Sequence, residues 1–430
     1  MAYVLRVGQK RGMNVTFSQR VCALLLSVAL LPACIPLGAC AQAEEPEIIS
    51  EAAVLMDAQT GQILYEKNMD ERMYPASITK ILTGYLALKY GNPADELTMS
   101  EEAFRQVPRT SSHIGLLPEE VITMKDALYA LTLVSANDAA VAIAENISGS
   151  VEEFAYLMNE EAAQMGAYNT HFVNPNGMPD ENHYTTARDM ALITAEALKM
   201  PDFYTFFGAS KYELPKTNLS EARALVSKNK FIDGSMDCPG LLMSKTGWTS
   251  SALGTLVTVA KRGSTTLIAV AMKSPELEDK YTDTQALFAY GFGNFQRTRL
   301  SRNLMEDKMR QQGMGENGCL EGYTPVDVLL PKAADPKEII LTVPGGFDAG
   351  LGVSTVPVSV DIPVGGKVLH LADLLLTIAE AAPLAEAEPA PAAAVLPQEE
   401  SSVHPGGLIL LGLAAVVGLL GLAARKKVHS

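Results

Sequence analysis

Residues 74–82 read Tyr74-Pro75-Ala76-Ser77-Ile78-Thr79-Lys80-Ile81-Leu82. Ser77 and Lys80 are three positions apart, so on a helix their side chains would project from one face about one turn apart. Pro75 favours a helix start, because its missing N–H would have no helical partner there in any case. The apolar residues recur at helical spacing and predict a buried helix. They are Ile78, Ile81, Leu82, Tyr85 and Leu86.

This serine and lysine have the composition of an activated nucleophile. Burial and neighbouring positive charge would lower the pKa of Lys80, so that its neutral amine could accept the Ser77 proton. The spacing alone is a weak signal, since Ser227 and Lys230 repeat it in surroundings that suggest no chemistry. Taken alone, either pair is better interpreted as a surface serine near a solvated lysine. Other motifs in the chain must therefore show whether Ser77 and Lys80 form a catalytic pair.

The composition excludes some classes of function. The chain has 430 residues, which is room for a large domain and a smaller one. Its formal net charge of -15 argues against a nucleic-acid partner, because phosphate binding needs clustered Lys and Arg. No Cys-x-x-Cys or His-Glu-x-x-His spacing occurs, so we expect no metal site and no cofactor.

The first 43 residues have the pattern of a secretory signal peptide. A basic segment over 1–20 precedes an apolar run over 21–37 and the small-residue stretch Ala39-Cys40-Ala41-Gln42-Ala43. A lipoprotein signal that ends at Cys40 is the alternative. Once the leader is removed, only Cys238 and Cys319 remain of five cysteines, and they would form one disulfide or stay unpaired.

The C-terminus has the pattern of a membrane anchor. Residues 381–405 are rich in Ala, Pro and Glu and predict a semi-extended linker. The uninterrupted apolar run over 406–424 is just long enough to span a bilayer. The basic residues in the tail, 425–430, predict a cytoplasmic end. Residues 396–400 resemble a sortase signal but lack its Thr-Gly cleavage pair, so we expect the protein to stay in the membrane.

Between the predicted signal peptide and the predicted linker, segments with strand patterns and segments with helical patterns follow one another. Two apolar runs flank a Gly-containing loop at 57–61, and β-rich runs at 253–259 and 265–272 flank another loop; both pairs predict hairpins. The segments between the two hairpins have helical patterns. This order predicts an α+β domain over 46–298, with helices and an antiparallel sheet. Short predicted strands then suggest a small β-rich domain over 301–380.

Three polar clusters follow one another in the predicted α+β domain. They are Ser77-x-x-Lys80 at a helix start, Ser135-x-Asn137 at a helix break, and Lys245-Thr246-Gly247 at a strand. Each is common alone, but the ordered set resembles the active site of penicillin-recognising serine enzymes. More closely, residues 51–295 resemble the D-alanyl-D-alanine carboxypeptidases, which are low-molecular-weight penicillin-binding proteins of the S11 type. That resemblance implies a β-lactamase/transpeptidase-like fold.

The resemblance extends beyond the three clusters. It includes the 57–61 loop, Asn137-Asp138-Ala139-Ala140, and the two runs 170–177 and 183–190. The sequence departs from the family pattern at Ala136, where a Gly is common, and at Leu242-Met243-Ser244, where Asp-Gly-Ile is frequent. The region after 295 matches the family's second domain only loosely and is shorter.

The resemblance implies three catalytic residues. Ser77 would attack the carbonyl between the two terminal D-alanines and form an acyl-enzyme. Lys80 would be the general base. Ser135 would relay a proton toward the leaving amine, by way of Lys80 and Lys245.

It also implies how the substrate would be bound. Asn137 would hydrogen-bond the peptide, while Lys245 and Thr246 would hold the terminal carboxylate. Gly247 would let the substrate approach the strand, and the peptide would lie beside that strand as an added strand. The backbone N–H groups of Ser77 and Trp248 would form the oxyanion hole.

The sequence therefore predicts an extracytoplasmic, membrane-anchored D-Ala-D-Ala carboxypeptidase that acts on peptidoglycan pentapeptide and that β-lactams inhibit covalently. A serine β-lactamase is one alternative, although no Glu is followed four residues later by Asn between 137 and 245. A catalytically silent scaffold that binds the cell wall is another. A Ser-His-Asp hydrolase would need a Gly-x-Ser-x-Gly elbow, which is missing, so we expect structural roles for His113, His171 and His183.

Overall fold

The computed structural model describes residues 45–314, 318–343, 353–364 and 366–380. The predicted signal peptide (1–43), linker (381–405), membrane span (406–424) and tail (425–430) lie outside these ranges. Within the ranges, no helix is long and apolar enough to cross a membrane.

Nine helices and fifteen strands are found in the described part of the chain, besides two short 3-10 turns at Ala76–Thr79 and Pro336–Glu338. The helices are Lys80–Tyr90 (α1), Glu101–Gln106 (α2), Met124–Leu133 (α3), Asn137–Ser148 (α4), Val151–Gln164 (α5), Ala187–Ala197 (α6), Phe203–Phe207 (α7), Asp279–Asn294 (α8) and Arg302–Gln311 (α9).

Most of the strands belong to two antiparallel sheets. The fifteen strands are Ala52–Asp57 (β1), Ile63–Lys67 (β2), Glu96–Thr98 (β3), Val121–Thr123 (β4), Lys211–Leu214 (β5), Arg223–Val226 (β6), Leu241–Thr249 (β7), Leu253–Arg262 (β8), Thr265–Ser274 (β9), Phe295–Leu300 (β10), Gly318–Glu321 (β11), Val326–Pro331 (β12), Ile340–Thr342 (β13), Val353–Val364 (β14) and Lys367–Glu380 (β15).

The central sheet has the strand order β2-β1-β9-β8-β7, and each neighbouring pair is antiparallel. The two predicted hairpins form its β1–β2 and β8–β9 pairs. Gly61 and Gly263 lie in their loops at φ +75 and +59, a backbone conformation that favours glycine. β7 is at the sheet's edge, so its outer side has no strand partner among the described residues.

A layer of helices covers one face of this sheet, with α1 at its centre. Eight of the eleven residues of α1, from Lys80 to Ala87, are buried. Helix α4 is rich in alanine, and Ala139, Ala140 and Ala144 are fully buried, so that the helices approach closely. Gly84 of α1 lies against the ring of Phe207, where an added Cβ atom would meet a ring carbon at 2.6 Å. The helix that carries Lys80 is therefore fixed from several sides.

The C-terminal region has a separate hydrophobic core, which includes Met305, Met309 and Val360. A four-stranded sheet in the order β11-β15-β14-β13 builds most of it. The sequence predicts only short strands here, whereas β14 and β15 have 12 and 14 residues. Helix α9 is not predicted from the sequence, because Met305 and Met309 give it only two buried apolar positions one turn apart.

Two polar contacts join this region to the first hairpin. Gln62 donates to the carbonyl oxygen of Leu329 at 2.8 Å and accepts from the Leu329 N–H at 2.8 Å. Arg297 of β10, the strand that pairs with β12, binds the buried carboxylate of Asp57 at 2.7 Å. Because both contacts are largely buried, they fix the C-terminal region against the sheet. The predicted boundary between the domains, at 298–301, falls at the end of β10 and stays a prediction.

The two cysteines outside the predicted leader are both free. Cys238 is partly buried and Cys319 is exposed. Of the two possibilities that the sequence leaves open, the structure shows the unpaired one.

Candidate active site

Ser77 lies in the 3-10 turn Ala76–Thr79, which leads directly into α1. The sequence predicts a helix start here, and the structure shows that the first turn is wound more tightly than an α-helix. Ala76 has φ +50, a strained conformation for a residue with a side chain. Thr79 donates to the Ala76 carbonyl oxygen at 2.9 Å and helps to hold this turn.

Lys80 is fully buried, and its amine has three polar neighbours. The Nζ atom lies 3.1 Å from Ser77 Oγ. It also donates to Asn137 Oδ1 at 2.7 Å and to the carbonyl oxygen of Asn176 at 2.6 Å. A neutral amine has two N–H groups and one lone pair. Since the two carbonyl oxygens accept only N–H groups, the lone pair of a neutral Lys80 is left for the Ser77 hydroxyl.

The surroundings of Lys80 favour its neutral form. Burial, and to a lesser extent the charge of Lys245, hold the pKa of Lys80 well below its ordinary value, against a smaller opposing effect of Asp138. A lowered pKa increases the fraction of Lys80 that is neutral near pH 7 and so able to accept a proton.

Ser135 and Lys245 form the opposite side of the site. Lys245 Nζ donates to Ser135 Oγ at 3.0 Å and to the Thr246 carbonyl oxygen at 2.7 Å. Ser135 lies between α3 and α4 with φ +58, a strained conformation that functional sites often retain. The predicted helix break at 135–138 is therefore where the serine leaves the helical path and faces the lysine of β7.

A third lysine lies behind β7. Lys280 of α8 is buried and donates to the Gly247 carbonyl oxygen at 3.3 Å. Burial lowers its pKa to about 8. Burial, and then the charge of Lys280, lower the pKa of Lys245 to about 7. The site therefore concentrates positive charge behind β7. Among the described residues, no carboxylate forms an ion pair with Lys245, so the site suits an anionic ligand group.

Gly247 is needed for the close approach of β7 to the nucleophile turn. An added Cβ atom would lie 2.4 Å from Thr255 Oγ1, 2.7 Å from the Ser77 nitrogen and 3.0 Å from the Ala76 Cβ. The sequence predicts that this glycine makes room for the substrate; in the structure its missing side chain makes room for the turn that carries Ser77. Thr246 is partly exposed beside it, and the Trp248 side chain is 57% exposed.

Two loops form the remaining walls of the candidate active site. Asn174 Oδ1 accepts the Gly177 N–H at 2.7 Å and so shapes the loop that presents the Asn176 carbonyl to Lys80. On the other side, the buried Asp138 accepts the backbone N–H groups of residues 114–116 at 2.9–3.2 Å. The Asn137 N–H donates to the carbonyl oxygen of Ser112 at 2.8 Å. These bonds hold Asn137 in place beside Lys80.

The histidines of this region support loops. His183 Nδ1 accepts the Val173 N–H at 3.1 Å, so its Nε2 carries the hydrogen and donates to Thr79 Oγ1 at 2.9 Å. Burial lowers the pKa of His183 to about 3, which keeps it neutral. His171 bonds the Asn182 carbonyl at 2.7 Å. Within the described residues, neither ring forms a hydrogen bond with Ser77 or Lys80. This is what we expect if these histidines have structural roles.

The structure thus brings together the side chains of all three predicted clusters. Ser77, Lys80 and Asn137 form one linked group, and Ser135 and Lys245 form another. The sequence did not identify the Asn176 carbonyl or Lys280 as parts of the site. The Asn-Pro-Asn-Gly run at 174–177 marks a turn, and it is the sequence signal that could have indicated a role for the Asn176 carbonyl. Lys280 has no sequence signal, because it reaches β7 only through the packing of α8.

Comparisons with known proteins identify related enzymes. Residues 39–276 match the Peptidase_S11 family model, described as D-alanyl-D-alanine carboxypeptidase. The D-alanyl-D-alanine carboxypeptidase DacF of Bacillus subtilis is 35% identical over 298 residues, which cover 67% of this chain and 75% of that protein. The enzyme DacA of Haemophilus influenzae is 35% identical over 259 residues, which cover 58% of this chain and 64% of that protein.

Solved structures show the same architecture. Penicillin binding protein 5 from Haemophilus influenzae has a TM-score of 0.62 and 28% identity, and the match covers 78% of this chain and 98% of that one. A mutant of the Streptomyces K15 DD-transpeptidase has a TM-score of 0.54 and 28% identity, and the match covers 58% of this chain and 100% of that one. The α+β, transpeptidase-like fold that the sequence predicts is confirmed.

Proposed function

The chain belongs to the peptidase S11 family of D-alanyl-D-alanine carboxypeptidases, and on that premise we propose that it removes the terminal D-alanine from peptidoglycan pentapeptide through an acyl-enzyme on Ser77. One observation carries the assignment of the nucleophile. The buried Lys80 amine donates to two carbonyl oxygens, which leaves its lone pair for the Ser77 hydroxyl at 3.1 Å.

Acylation begins when Ser77 Oγ attacks the carbonyl carbon between the two D-alanines. As the O–C bond forms, the hydroxyl proton moves to Lys80 Nζ. The carbonyl oxygen becomes an oxyanion, which the backbone N–H groups of Ser77 and Trp248 stabilise. The close approach at Gly247 supports this role, since it places β7 against the Ser77 nitrogen.

The C–N bond then breaks and the terminal D-alanine leaves. Its amine takes up the proton that Lys80 received from Ser77, which Ser135 relays by way of the two lysines, so Lys80 becomes neutral again. The Lys245–Ser135 contact of 3.0 Å supports the part of Ser135 in this transfer. In deacylation a water molecule attacks the ester carbon and gives its proton to Lys80. That proton returns to Ser77 Oγ as the ester bond breaks, so the enzyme is restored.

Substrate binding uses the edge of the sheet. The peptide lies along the outer side of β7, which has no partner strand among the described residues, as an added strand. Its terminal carboxylate is held by Lys245 and the Thr246 hydroxyl. Asn137, whose Oδ1 is bound by Lys80, contacts the peptide on the other side. β-Lactams acylate Ser77 in place of the peptide and inhibit the enzyme.

Release of free D-alanine from a peptide that ends in Lys-D-Ala-D-Ala tests the reaction. We expect Ser77→Ala to abolish release. Ser227→Ala is the matched control, because it changes the other Ser-x-x-Lys serine, and Lys230 there pairs with Glu278 instead. If a folded wild-type sample releases no D-alanine, the carboxypeptidase assignment is wrong. Turnover of penicillin by such a sample would indicate a β-lactam hydrolase, and absence of acylation would indicate a silent scaffold.

The chain ends support an extracytoplasmic site that is anchored to the membrane. We propose a signal peptide over 1–43, a linker over 381–405, an anchor over 406–424 and a cytoplasmic tail over 425–430, with a catalytic domain over 46–298 and a β-rich domain over 301–380 between them. The support is the charge and apolar pattern of the sequence. Detergent should release the mature protein from cell envelopes, while release by cell-wall hydrolases without detergent would contradict the anchor.

A further inference from the structure

A surface cavity of about 440 Å³ lies beyond the C-terminal end of β7. Ser251 and Ala252, in the turn between β7 and β8, line one part of it, and Tyr74, three residues before Ser77, lines another. Tyr184, from the chain that follows the Asn176 loop, also lines it. Three of the segments that line the cavity therefore also build the site, and Glu51 and Lys273 complete the lining.

The direction of the substrate leads its chain toward this cavity. In the proposed function the terminal carboxylate lies at Lys245 and Thr246, and the scissile carbonyl lies at the Trp248 N–H. The peptide must therefore run antiparallel to β7, and each residue toward its N-terminus moves about 3.3 Å further along the strand. The penultimate D-alanine then lies near Trp248, and the residue before it lies near Thr249, the last residue of β7. From there a long side chain extends toward the turn that carries Ser251.

The charged side chains around the cavity are not all paired with one another. Glu51 and Lys273 form an ion pair at 2.8 Å and neutralise each other. The Arg72 guanidinium stacks on the Tyr184 ring, 4.7 Å from its centroid, and donates to Asn169 Oδ1 at 3.3 Å. No carboxylate of the described residues forms an ion pair with Arg72.

Two acidic side chains accompany this arginine. Glu71 and Glu181 line the same cavity, are exposed, and form no ion pair within the described ranges. The cavity thus offers one guanidinium, fixed by stacking, and two carboxylates. A guanidinium binds a carboxylate through two parallel hydrogen bonds, and carboxylates accept hydrogen bonds from an ammonium.

We propose that this cavity receives the side chain of the amino acid that precedes the two D-alanines, and that it prefers a side chain whose end carries both a carboxylate and an ammonium group. Arg72 binds the carboxylate, and Glu71 and Glu181 bind the ammonium. The proposal rests on the proposed carboxypeptidase function and adds its substrate class, a diamino dicarboxylic acid at the third position from the C-terminus.

Three peptides that differ only at this position test the preference. They carry meso-2,6-diaminopimelic acid, lysine or Nε-acetyl-lysine before D-Ala-D-Ala, and the full-length chain is assayed in detergent for release of D-alanine. We expect KM to be about five-fold lower for the diaminopimelic peptide than for the lysine peptide, because one charge-assisted contact in a solvent-exposed cavity has about that effect. The acetyl-lysine peptide should have the highest KM of the three.

Charge-removing variants assign the preference to named residues. Arg72→Gln should raise KM about five-fold for the diaminopimelic peptide and leave the lysine peptide unchanged. The double variant Glu71→Gln/Glu181→Gln should raise KM for both charged peptides and not for the acetyl-lysine peptide. Arg262→Gln is the matched control, since Arg262 also stacks on an aromatic ring, Phe292 at 4.4 Å, but at the other end of β8.

The outcomes separate this inference from the proposed function. Equal KM values for the three peptides, with normal release of D-alanine, would overturn the inference and leave the carboxypeptidase function standing. An unchanged ratio between the diaminopimelic and lysine peptides in Arg72→Gln would also overturn it. Absence of release from all three peptides would overturn both.

Discussion

Gly177 faces the carbonyl oxygen of Ala76 so closely that an added Cβ atom would lie 1.9 Å from that oxygen. The two residues join the loop that presents the Asn176 carbonyl to the turn that carries Ser77. Because Lys80 bonds to the Asn176 carbonyl at 2.6 Å, the position of the base depends on this contact between two backbones.

Gly177→Ala should therefore damage both stability and acylation. At φ +82, the backbone of any residue with a side chain is strained whatever surrounds it. Here the added Cβ atom would also clash with the backbone of Ala76, which cannot move aside. We expect a loss of at least about 3 kcal/mol in the free energy of unfolding, and acylation by a fluorescent penicillin slowed at least about ten-fold.

Gly234→Ala is the control for this variant. Gly234 has nearly the same backbone conformation, φ +81, but nothing lies within 4 Å of the point that an added Cβ atom would occupy. It should cost only about 1 kcal/mol and leave acylation unchanged. Equal effects of the two substitutions would show that the contact with Ala76 has no consequence for the site.

The pKa of Lys245 should set the alkaline limit of substrate binding. Below its pKa of about 7 the amine is charged and attracts the terminal carboxylate, and above it the charge is lost. KM for a D-Ala-D-Ala peptide should therefore rise as the pH increases past about 7. Steady-state kinetics between about pH 5.5 and 9 at constant ionic strength measure this.

Lys280→Met should move that limit to higher pH. The substitution removes the positive charge that helps to lower the pKa of Lys245, so the amine stays charged to a higher pH, by about half to one unit. Lys261→Met, which changes an exposed lysine on β8, should leave the profile in place. A profile of Lys280→Met that coincides with the wild type would refute the coupling between the two lysines.

His183→Ala should slow acylation through the loop it supports. The substitution leaves the partly buried Val173 N–H without its acceptor and the buried Thr79 without its donor, which costs about 1–3 kcal/mol for each group that stays unpaired. Since the pKa of His183 is about 3, the histidine should contribute no step to the activity profile near its ordinary pKa of about 6.5. Rates of penicillin acylation measure the effect, and an unchanged rate would rule out the supporting role.

Buried Lys245 should also make stability depend on pH. Its pKa is about 7 in the folded protein and near 10.5 when unfolded. Between these values the unfolded state binds one more proton, so folding becomes more favourable as the pH rises, by about 1.4 kcal/mol per pH unit from this group. The contribution is complete above the unfolded pKa and is lost as the pH falls to about 7.

Lys245→Met removes this dependence. We expect the variant to be more stable than the wild type at about pH 7, and the difference in the free energy of unfolding to shrink steadily up to about pH 10. Guanidinium unfolding of both proteins across that range measures the difference. A difference that stays constant with pH would mean that Lys245 keeps an ordinary pKa in the folded protein.

The features that could be predicted from the sequence are those that depend on neighbours in the chain. The three-residue spacing of Ser77 and Lys80 places them on one face of a turn, and the apolar period after Ile78 buries the helix that follows. Glycine-containing loops between β-rich runs indicated both hairpins of the sheet. These are local relations, so they could be predicted with no knowledge of the packing.

The way in which the separate clusters meet depends on the folded packing. The Asn176 carbonyl is 96 positions from Lys80 in sequence, and Lys245 is 110 positions from Ser135. Lys280 reaches β7 from α8, and the cavity at Arg72 needs the turn at Ser251 beside it. Neither periodicity nor spacing encodes such contacts, because they form only when the helical layer packs on the sheet and excludes water. That same burial lowers the lysine pKa values on which the proposed chemistry depends.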